Sequence, residues 1–245
     1  MYRFFVEDSQ ILQDEIVIRD ADVNHIKNVL RMKPGETVLV SDGNDREYVC
    51  TLTDISDEEV HAKIENINGP TRELSIKVTL FQALPKGDKM ETVIQKMVEL
   101  GAFSIVPVST KRCIVKLDEK KAEAKTKRWN AIAMSAAKQS KRGIIPQVLK
   151  PVTYKEALDM AKEMDMVLIP YEEAKNMEQT RDVISRIASG MEIGIFIGPE
   201  GGFAPEEVRQ ILEIGGYDIT LGRRILRTET AGMALMSVLM FQNEE

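Results

Sequence analysis

Cysteine, histidine and long apolar runs are all scarce in this 245-residue chain, and each scarcity removes a class of function. Its two cysteines, Cys50 and Cys113, are far apart and flanked by no ligand pattern. A disulfide framework or a zinc site is therefore not expected, and no metal is expected at all. The two histidines, His25 and His61, lie near the N-terminal end with no catalytic partner in view, so both read as structural or surface residues. No stretch approaches the ~20 apolar residues needed to cross a bilayer, so no membrane partner is expected. The segment Met1–Glu7 lacks the apolar core of a secretory signal. A reducing cytoplasm is the expected compartment.

What is present reads as a globular protein, with 43% apolar and 29% charged residues. The net charge of −6 argues against a uniformly basic nucleic-acid binder, but its distribution is uneven. Residues 1–70 carry 7 basic and 15 acidic side chains, whereas residues 71–150 carry 17 basic and 7 acidic. Clustering of Lys and Arg matters more for nucleic-acid contact than the total. The same lysines could equally solvate helix faces.

Hydrophobic periodicity divides the chain in two. Residues 1–70 read as a small β-rich unit, with strands at Tyr2–Val6, Ile16–Arg19, Thr37–Val40, Tyr48–Leu52 and Val60–Ile64. Asp20 is placed to cap a helix carrying Val23, Ile26, Val29 and Leu30. Asn68-Gly69-Pro70 is the linker candidate. In residues 71–245 strands alternate with helices, which implies a mostly parallel sheet covered on both faces. Strands are expected at Ile76–Leu84, Ser104–Val108, Met166–Ile169, Ile193–Ile197 and Ile219–Leu221. Helices are expected at Asp88–Leu100, Glu119 to about Lys138, Met177–Ala188, Pro205–Ile214 and Thr228 to about Met240.

Three of these strands end in suggestive loops. They are Pro170-Tyr171-Glu172, then Gly198-Pro199-Glu200-Gly201-Gly202, then Leu221 to Ala231, which is rich in Arg and Thr. Open α/β sheets bind ligands beyond the carboxyl ends of their strands. Apolar walls from Ile169, Ile197, Leu221, Ile225 and Leu226 would suit an adenine ring. The loops match neither GxxxxGK followed by Ser or Thr, nor GxGxxG, which disfavours ATP and NAD. Ordinary strand-to-helix punctuation, with Pro205 and the acids Glu206 and Glu207 opening a helix, fits the glycine loop equally well.

The joint presence of IGPEGGF (197–203) and LGRRILRTETAGMAL (221–235) narrows the choice. Upstream stand RFFV (3–6), HIKNVLRMKPGE (25–36), QALPKGDKME (82–91) and a KRW, QSKR and IP series (127–146). Together they resemble the RsmE family of 16S ribosomal RNA uracil-N3 methyltransferases, of the SPOUT class, over essentially the whole chain. The resemblance implies a PUA-like RNA-binding β-barrel at 1–70. It also implies a SPOUT α/β methyltransferase domain at 71–245 with a trefoil knot, binding S-adenosyl-L-methionine, and a homodimer acting on the small ribosomal subunit.

Carried onto this chain, the cofactor residues would be Pro170, Ile197, Gly198, Gly202, Leu221, Gly222, Ile225, Leu226 and Ala231. Methylation of a uracil imide requires loss of its N3 proton and stabilisation of charge on the ring. Arg227 and Arg224 are the candidate donors, and Glu229 or Glu200 the candidate proton acceptor, since an arginine stays protonated. Either glutamate could instead simply pair with a neighbouring arginine. Arg3, Arg31, Lys86, Lys89, Arg112 and Arg142 are the candidate RNA contacts. Valine at Gly198 or Gly202 is expected to abolish cofactor binding in a protein that stays folded. Two rivals remain, a catalytically silent RNA-binding or ribosome-assembly module of the same fold, and a nucleotide-dependent enzyme.

Overall fold

A computed structural model describes residues 1–44, 46–68, 73–174 and 176–244. The chain forms two compact units, one of Met1–Glu73 with Ala137–Ile145, the other of Leu74–Ala136 with Pro146–Glu245. Of the expected linker, Asn68 closes a strand, and Gly69 and Pro70 lie outside the described residues, as does a boundary between 70 and 71. The return of 137–145 to the first unit has no signature in hydrophobic periodicity.

The first unit is a curled five-stranded sheet in the order β1-β3-β4-β5-β2. Its strands are β1 (Arg3–Phe5), β2 (Glu15–Ile18), β3 (Thr37–Ser41), β4 (Glu47–Ile55) and β5 (Val60–Asn68). Alternation sends Val38, Val40, Cys50, Leu52, Val60 and Ala62 inward onto one core with Phe4, Ile16 and Ile18. Register shifts at Val49/Cys50 and Leu52/Asp54 bend the long β4–β5 ladder, and such bulges increase local twist. Burial pushes the Cys50 thiol up to about 12, so it behaves as an inert apolar side chain.

The helix expected after Asp20 is only partly there. Asp20 sits at φ 62° without a side-chain capping bond, followed by α1 (Ala21–Asn24) and a π turn, His25–Val29. The Leu30 N–H reaches back to the His25 carbonyl at 2.8 Å, adding a residue to the turn. Val23 and Ile26 stay buried, while Val29 is rotated out to 63% exposure.

Two of the expected RNA contacts are buried in this unit. Arg3 pairs with Glu47 and donates to the Arg142 carbonyl at 2.7 Å. Arg142 pairs with Glu73, its Nε lying 2.9 Å from each carboxylate oxygen. Glu73 also accepts the Gly143 N–H at 2.9 Å, and Ser41 donates to the Gly143 carbonyl at 2.8 Å. The two guanidinium groups thus fasten segment 137–145 to the sheet and are not surface phosphate contacts. Lys138 in the same segment is likewise engaged, at 2.8 Å from Asp22.

On the outer face His61 lies 3.0 Å from Glu59 and 3.3 Å from Glu15. The hydrogen bond to Glu59, then that to Glu15, raise the imidazole above its ordinary value. A group raised on folding stabilises fully below its unfolded pKa and loses that contribution as pH rises through the folded value. His61→Gln should therefore lower Tm most near about pH 5.5 and least near about pH 8.5, with thermal melts across that range as the check.

The second unit has a parallel sheet in the order β12-β10-β11-β6-β7-β8, with β9 also on β7. In chain order the elements are β6 (Lys77–Ala83), α2 (Lys89–Glu99), β7 (Ser104–Ser109), α3 (Glu119–Ser140), β8 (Gln147–Val148) and β9 (Val152–Thr153). Then follow α4 (Tyr154–Ala161), β10 (Met166–Pro170), α5 (Met177–Ser185), β11 (Glu192–Ile197), α6 (Pro205–Glu213), β12 (Tyr217–Ile219) and α7 (Thr228–Asn243). The last strand ends two residues before the expected Leu221, because the Thr220 N–H turns to the Thr180 hydroxyl at 3.0 Å.

One face of this sheet packs Phe81, Val106, Val167 and Phe196 against α4 and α6, with Phe81 and Phe196 stacked at 4.4 Å. The opposite face carries α2 and α7. A Cβ at Gly232 would make ordinary contacts, 3.5 Å from Ile197 and 3.8 Å from Met97, so α7 packs on this face without requiring glycine there. Gly101 stops α2 at φ 101°, as its position after the periodic run implied. Helix α4 was not expected, although Thr153 and Glu156 form a capping box, with the Thr153 N–H 2.7 Å from the Glu156 carboxylate. Among the described residues no helix is long and apolar enough to cross a membrane.

Candidate active site

Strands β12, β10 and β11 are neighbours, so their carboxyl-end loops lie side by side. Pro170 closes β10 half-buried, and Ile197 closes β11 at 2% exposure. Gly202 and Gly222 hold φ values of 66° and 107°, and a Cβ built on either would meet nothing within 4 Å. Their need for glycine is thus conformational, and both leave open space beside the backbone. Gly198 differs. A Cβ there would lie 3.2 Å from the Phe203 N and Cδ2 and 3.3 Å from the Gly202 carbonyl carbon. Valine at Gly198 would push the loop apart, which corrects the expectation of an undisturbed fold at that position.

Ile169 is buried like Ile197, but the wall residues of the third loop are less enclosed than their apolar character implied. Leu221, Gly222, Leu226 and Ala231 are half-buried, while Ile225 is 81% exposed. Arg224 and Arg227 are exposed, as is Arg223, and among the described residues none of the three pairs with a carboxylate. Arg227 immediately precedes α7 with extended backbone (φ −67°, ψ 156°), and its carbonyl accepts the Thr230 and Ala231 N–H groups at 2.9 Å. The start of that helix therefore fixes the Arg227 backbone, from which the exposed side chain projects.

The carboxylates behave differently from one another. Lys89, expected to contact RNA, instead lies 2.8 Å from Glu200 and 3.5 Å from Glu229. Glu200 also accepts the Lys86 N–H at 3.1 Å. Burial pushes the Glu200 carboxyl up, but the bonds from Lys89, its own N–H and Lys86 outweigh that and hold it below the usual carboxylate range. The hydrogen bond to Glu200 raises Lys89 in turn. Glu229 Oε2 is buried, with Lys89 at 3.5 Å as its charged partner and no shorter hydrogen bond among the described residues.

The glycine loop is braced from outside by Arg112, whose Nη1 donates to the Gly201 carbonyl at 2.9 Å. Ala204 offers no side-chain cap, but Glu207 accepts the Ala204 N–H at 2.8 Å through one oxygen and the Lys111 N–H at 2.8 Å through the other. The Lys86 side chain is exposed, and Arg31 is exposed at φ 54° in the other unit.

Two residues at this site were missed in the sequence. Gln82, fully buried, donates from Nε2 to the Thr228 hydroxyl at 2.9 Å and to the Ala83 carbonyl at 3.0 Å. Thr228 donates to the Gly198 carbonyl at 2.6 Å. An amide set among the apolar residues Leu80, Phe81 and Ala83 was the available signal for Gln82.

The RNA methyltransferase domain family matches residues 72–240, and the RNA methyltransferase PUA domain family matches 18–65. Ribosomal RNA small subunit methyltransferase E of Bacillus subtilis (strain 168) is 36% identical over 250 aligned positions, covering 100% of this chain and 98% of its own. This chain belongs to the ribosomal RNA small subunit methyltransferase E family. The Mesomycoplasma hyopneumoniae (strain 232) member is 37% identical, covering 97% of this chain and 98% of its own. A crystal structure of the Neisseria gonorrhoeae member bound to S-adenosyl methionine aligns with a TM-score of 0.83 and 32% identity, covering 99% of this chain and 98% of that one. The curled N-terminal sheet is thus PUA-like, and the parallel-sheet unit is the RNA methyltransferase domain.

Proposed function

We propose that this chain is an S-adenosylmethionine-dependent methyltransferase that modifies N3 of a uridine in 16S ribosomal RNA of the small subunit. Three adjacent strand-end loops, two opening on left-handed glycines with free space beside them, carry this reading. Family membership and a cofactor-bound relative support the choice of cofactor. The donor set suits a sulfonium nucleoside, with backbone groups, apolar side chains and no lysine aimed as in a phosphate loop. Pro170, Ile197, Gly198, Gly202, Leu221, Gly222, Ile225, Leu226 and Ala231 would hold it. When bound there, S-adenosylmethionine supplies a methyl group activated by its positive sulfur.

The residues of this chain would manage the base. Arg227 and Arg224, free of carboxylate partners among the described residues, would offer donors to the uracil carbonyls as negative charge develops. Glu229 is the better proton acceptor of the two glutamates. Its Oε2 has only the longer ion-pair contact to Lys89, at 3.5 Å, whereas Glu200 is held ionised by three closer donors. Glu229→Gln should accordingly lower single-turnover rates by at least ~10²-fold, within the range of general-base losses, and Glu200→Gln by less. Equal losses would remove the distinction.

For RNA contact we retain Arg31, Lys86 and Arg112, which are exposed. Arg3, Lys89 and Arg142 leave the set because their charges are committed to carboxylates. The finer architecture belongs to the same proposal. A trefoil knot of the SPOUT class accords with the path from edge strand β12 back to Gln82 and Gly198 at the centre of the sheet. A homodimer accords with exposed apolar side chains on α7, Val238 at 47% and Phe241 at 87%.

Calorimetry tests the cofactor assignment. S-adenosylhomocysteine should bind, and ATP and NAD should not. Gly202→Val and Gly222→Val should weaken that binding at least about tenfold while costing roughly 1–3 kcal/mol of backbone strain. Tight ATP binding without any response to the nucleoside sulfide would replace this reading with the nucleotide-dependent alternative.

A further inference from the structure

Gln82 sits under α7 on the face of the sheet that also carries Leu80, directly beside Ile197 in the β6–β11 ladder. Its orientation is fixed by bond chemistry. A hydroxyl has one proton, and Thr228 gives its own to the Gly198 carbonyl at 2.6 Å. The Thr228 oxygen must therefore accept from Gln82, and the Ala83 carbonyl can only accept. Both contacts demand the NH₂ side of the amide, so exchanging its N and O would break them. The amide oxygen then faces the other way, buried, with no partner among the described residues.

A buried acceptor without a donor is destabilising, and an apolar side chain of similar size would remove that cost. Against that cost stand the two buried hydrogen bonds made by its NH₂ group, so the amide's net contribution to stability is small. What the amide does is set Thr228, the first residue of α7, against Gly198, the first residue of the glycine loop. Arg227 and Glu229 flank Thr228 in the chain.

We propose that Gln82 and Thr228 are positioning residues, a buried hydrogen-bond relay that holds the glycine loop of the cofactor site in register with the helix start bearing Arg227 and Glu229. Neither side chain need touch a reacting atom. The relay ties the loop's Gly198 carbonyl to the helix start from which Arg227 projects, so that ordering one orders the other. Polar contacts of this kind hold functional groups within the tolerance that methyl transfer requires. The inference rests on the cofactor reading above.

The test measures S-adenosylhomocysteine affinity and Tm together for wild type, Gln82→Leu, Thr228→Val and Thr228→Ser. Gln82→Leu should melt within about 3 °C of wild type, since two lost hydrogen bonds offset the relief of the unpaired oxygen, yet bind the nucleoside sulfide about tenfold more weakly. Thr228→Val should also bind about tenfold more weakly, and Thr228→Ser, which keeps the hydroxyl, should restore affinity to within about threefold. A Gln82→Leu protein that melts lower and binds normally would make the amide a stabilising group and overturn the proposal. Thr228→Ser behaving like Thr228→Val would overturn it too, by showing that the methyl group and not the hydroxyl matters. Failure of wild type to bind would instead count against the cofactor assignment itself.

Discussion

Arg227→Ala should reduce the single-turnover methylation rate by on the order of 10²–10³-fold, the usual loss for one donor aimed at transition-state charge. The structure makes this a clean substitution. The Arg227 side chain is exposed and pairs with no carboxylate among the described residues, so its removal leaves no buried partner unsatisfied. Its backbone carbonyl, which accepts the first N–H groups of α7, is untouched by the change. Tm and S-adenosylhomocysteine affinity should therefore stay close to wild type while the rate falls. An Arg227→Ala protein with normal chemistry and poor RNA affinity would make the loop an RNA clamp. Lys86→Ala, which leaves the backbone bond to Glu200 intact, should show the contrasting pattern of weaker RNA binding with a shallower salt dependence.

Arg142→Ala should destabilise the protein by roughly 3–5 kcal/mol, the range for removing one partner of a buried ion pair. The loss is large because Glu73 would keep its charge with its principal partner gone, and the Arg142 side chain is only 4% exposed. The segment that Arg142 anchors would lose its hold on the sheet, since Glu73 also carries the Gly143 N–H. Denaturant unfolding gives the value directly. A variant with wild-type stability but weakened RNA binding would return Arg142 to the surface role first assigned to it.

These two arginines show where sequence reasoning reaches and where it stops. Both stand in family-like motifs, and charge alone does not separate them. Arg142 is withdrawn by Glu73, a partner 69 positions away whose approach depends on the tertiary path of 137–145. Arg3 is withdrawn by Glu47 in the same way. The sheet of the second unit was legible because its strands are near-continuous apolar runs and its helices have periodic faces, as for Met90, Val93, Ile94 and Met97 on α2. Strand adjacency of the three loops needed the fold, because periodicity carries no strand order. The π turn at His25–Val29 was invisible, since the spacing of Val23, Ile26 and Leu30 fits an α-helix just as well. Gln82 lay within a quoted motif, but only the depth of its burial and the Thr228 contact distinguish it from a surface amide.

Mass mapping of 16S ribosomal RNA tests the central claim most directly. Small ribosomal subunits lacking the modification would be incubated with this protein and S-adenosylmethionine, beside Arg227→Ala as control. The account predicts one added methyl group, on N3 of a single uridine, at a rate that collapses in the control. No methyl gain despite measurable S-adenosylhomocysteine binding, or a methyl group on another atom or base, would contradict it.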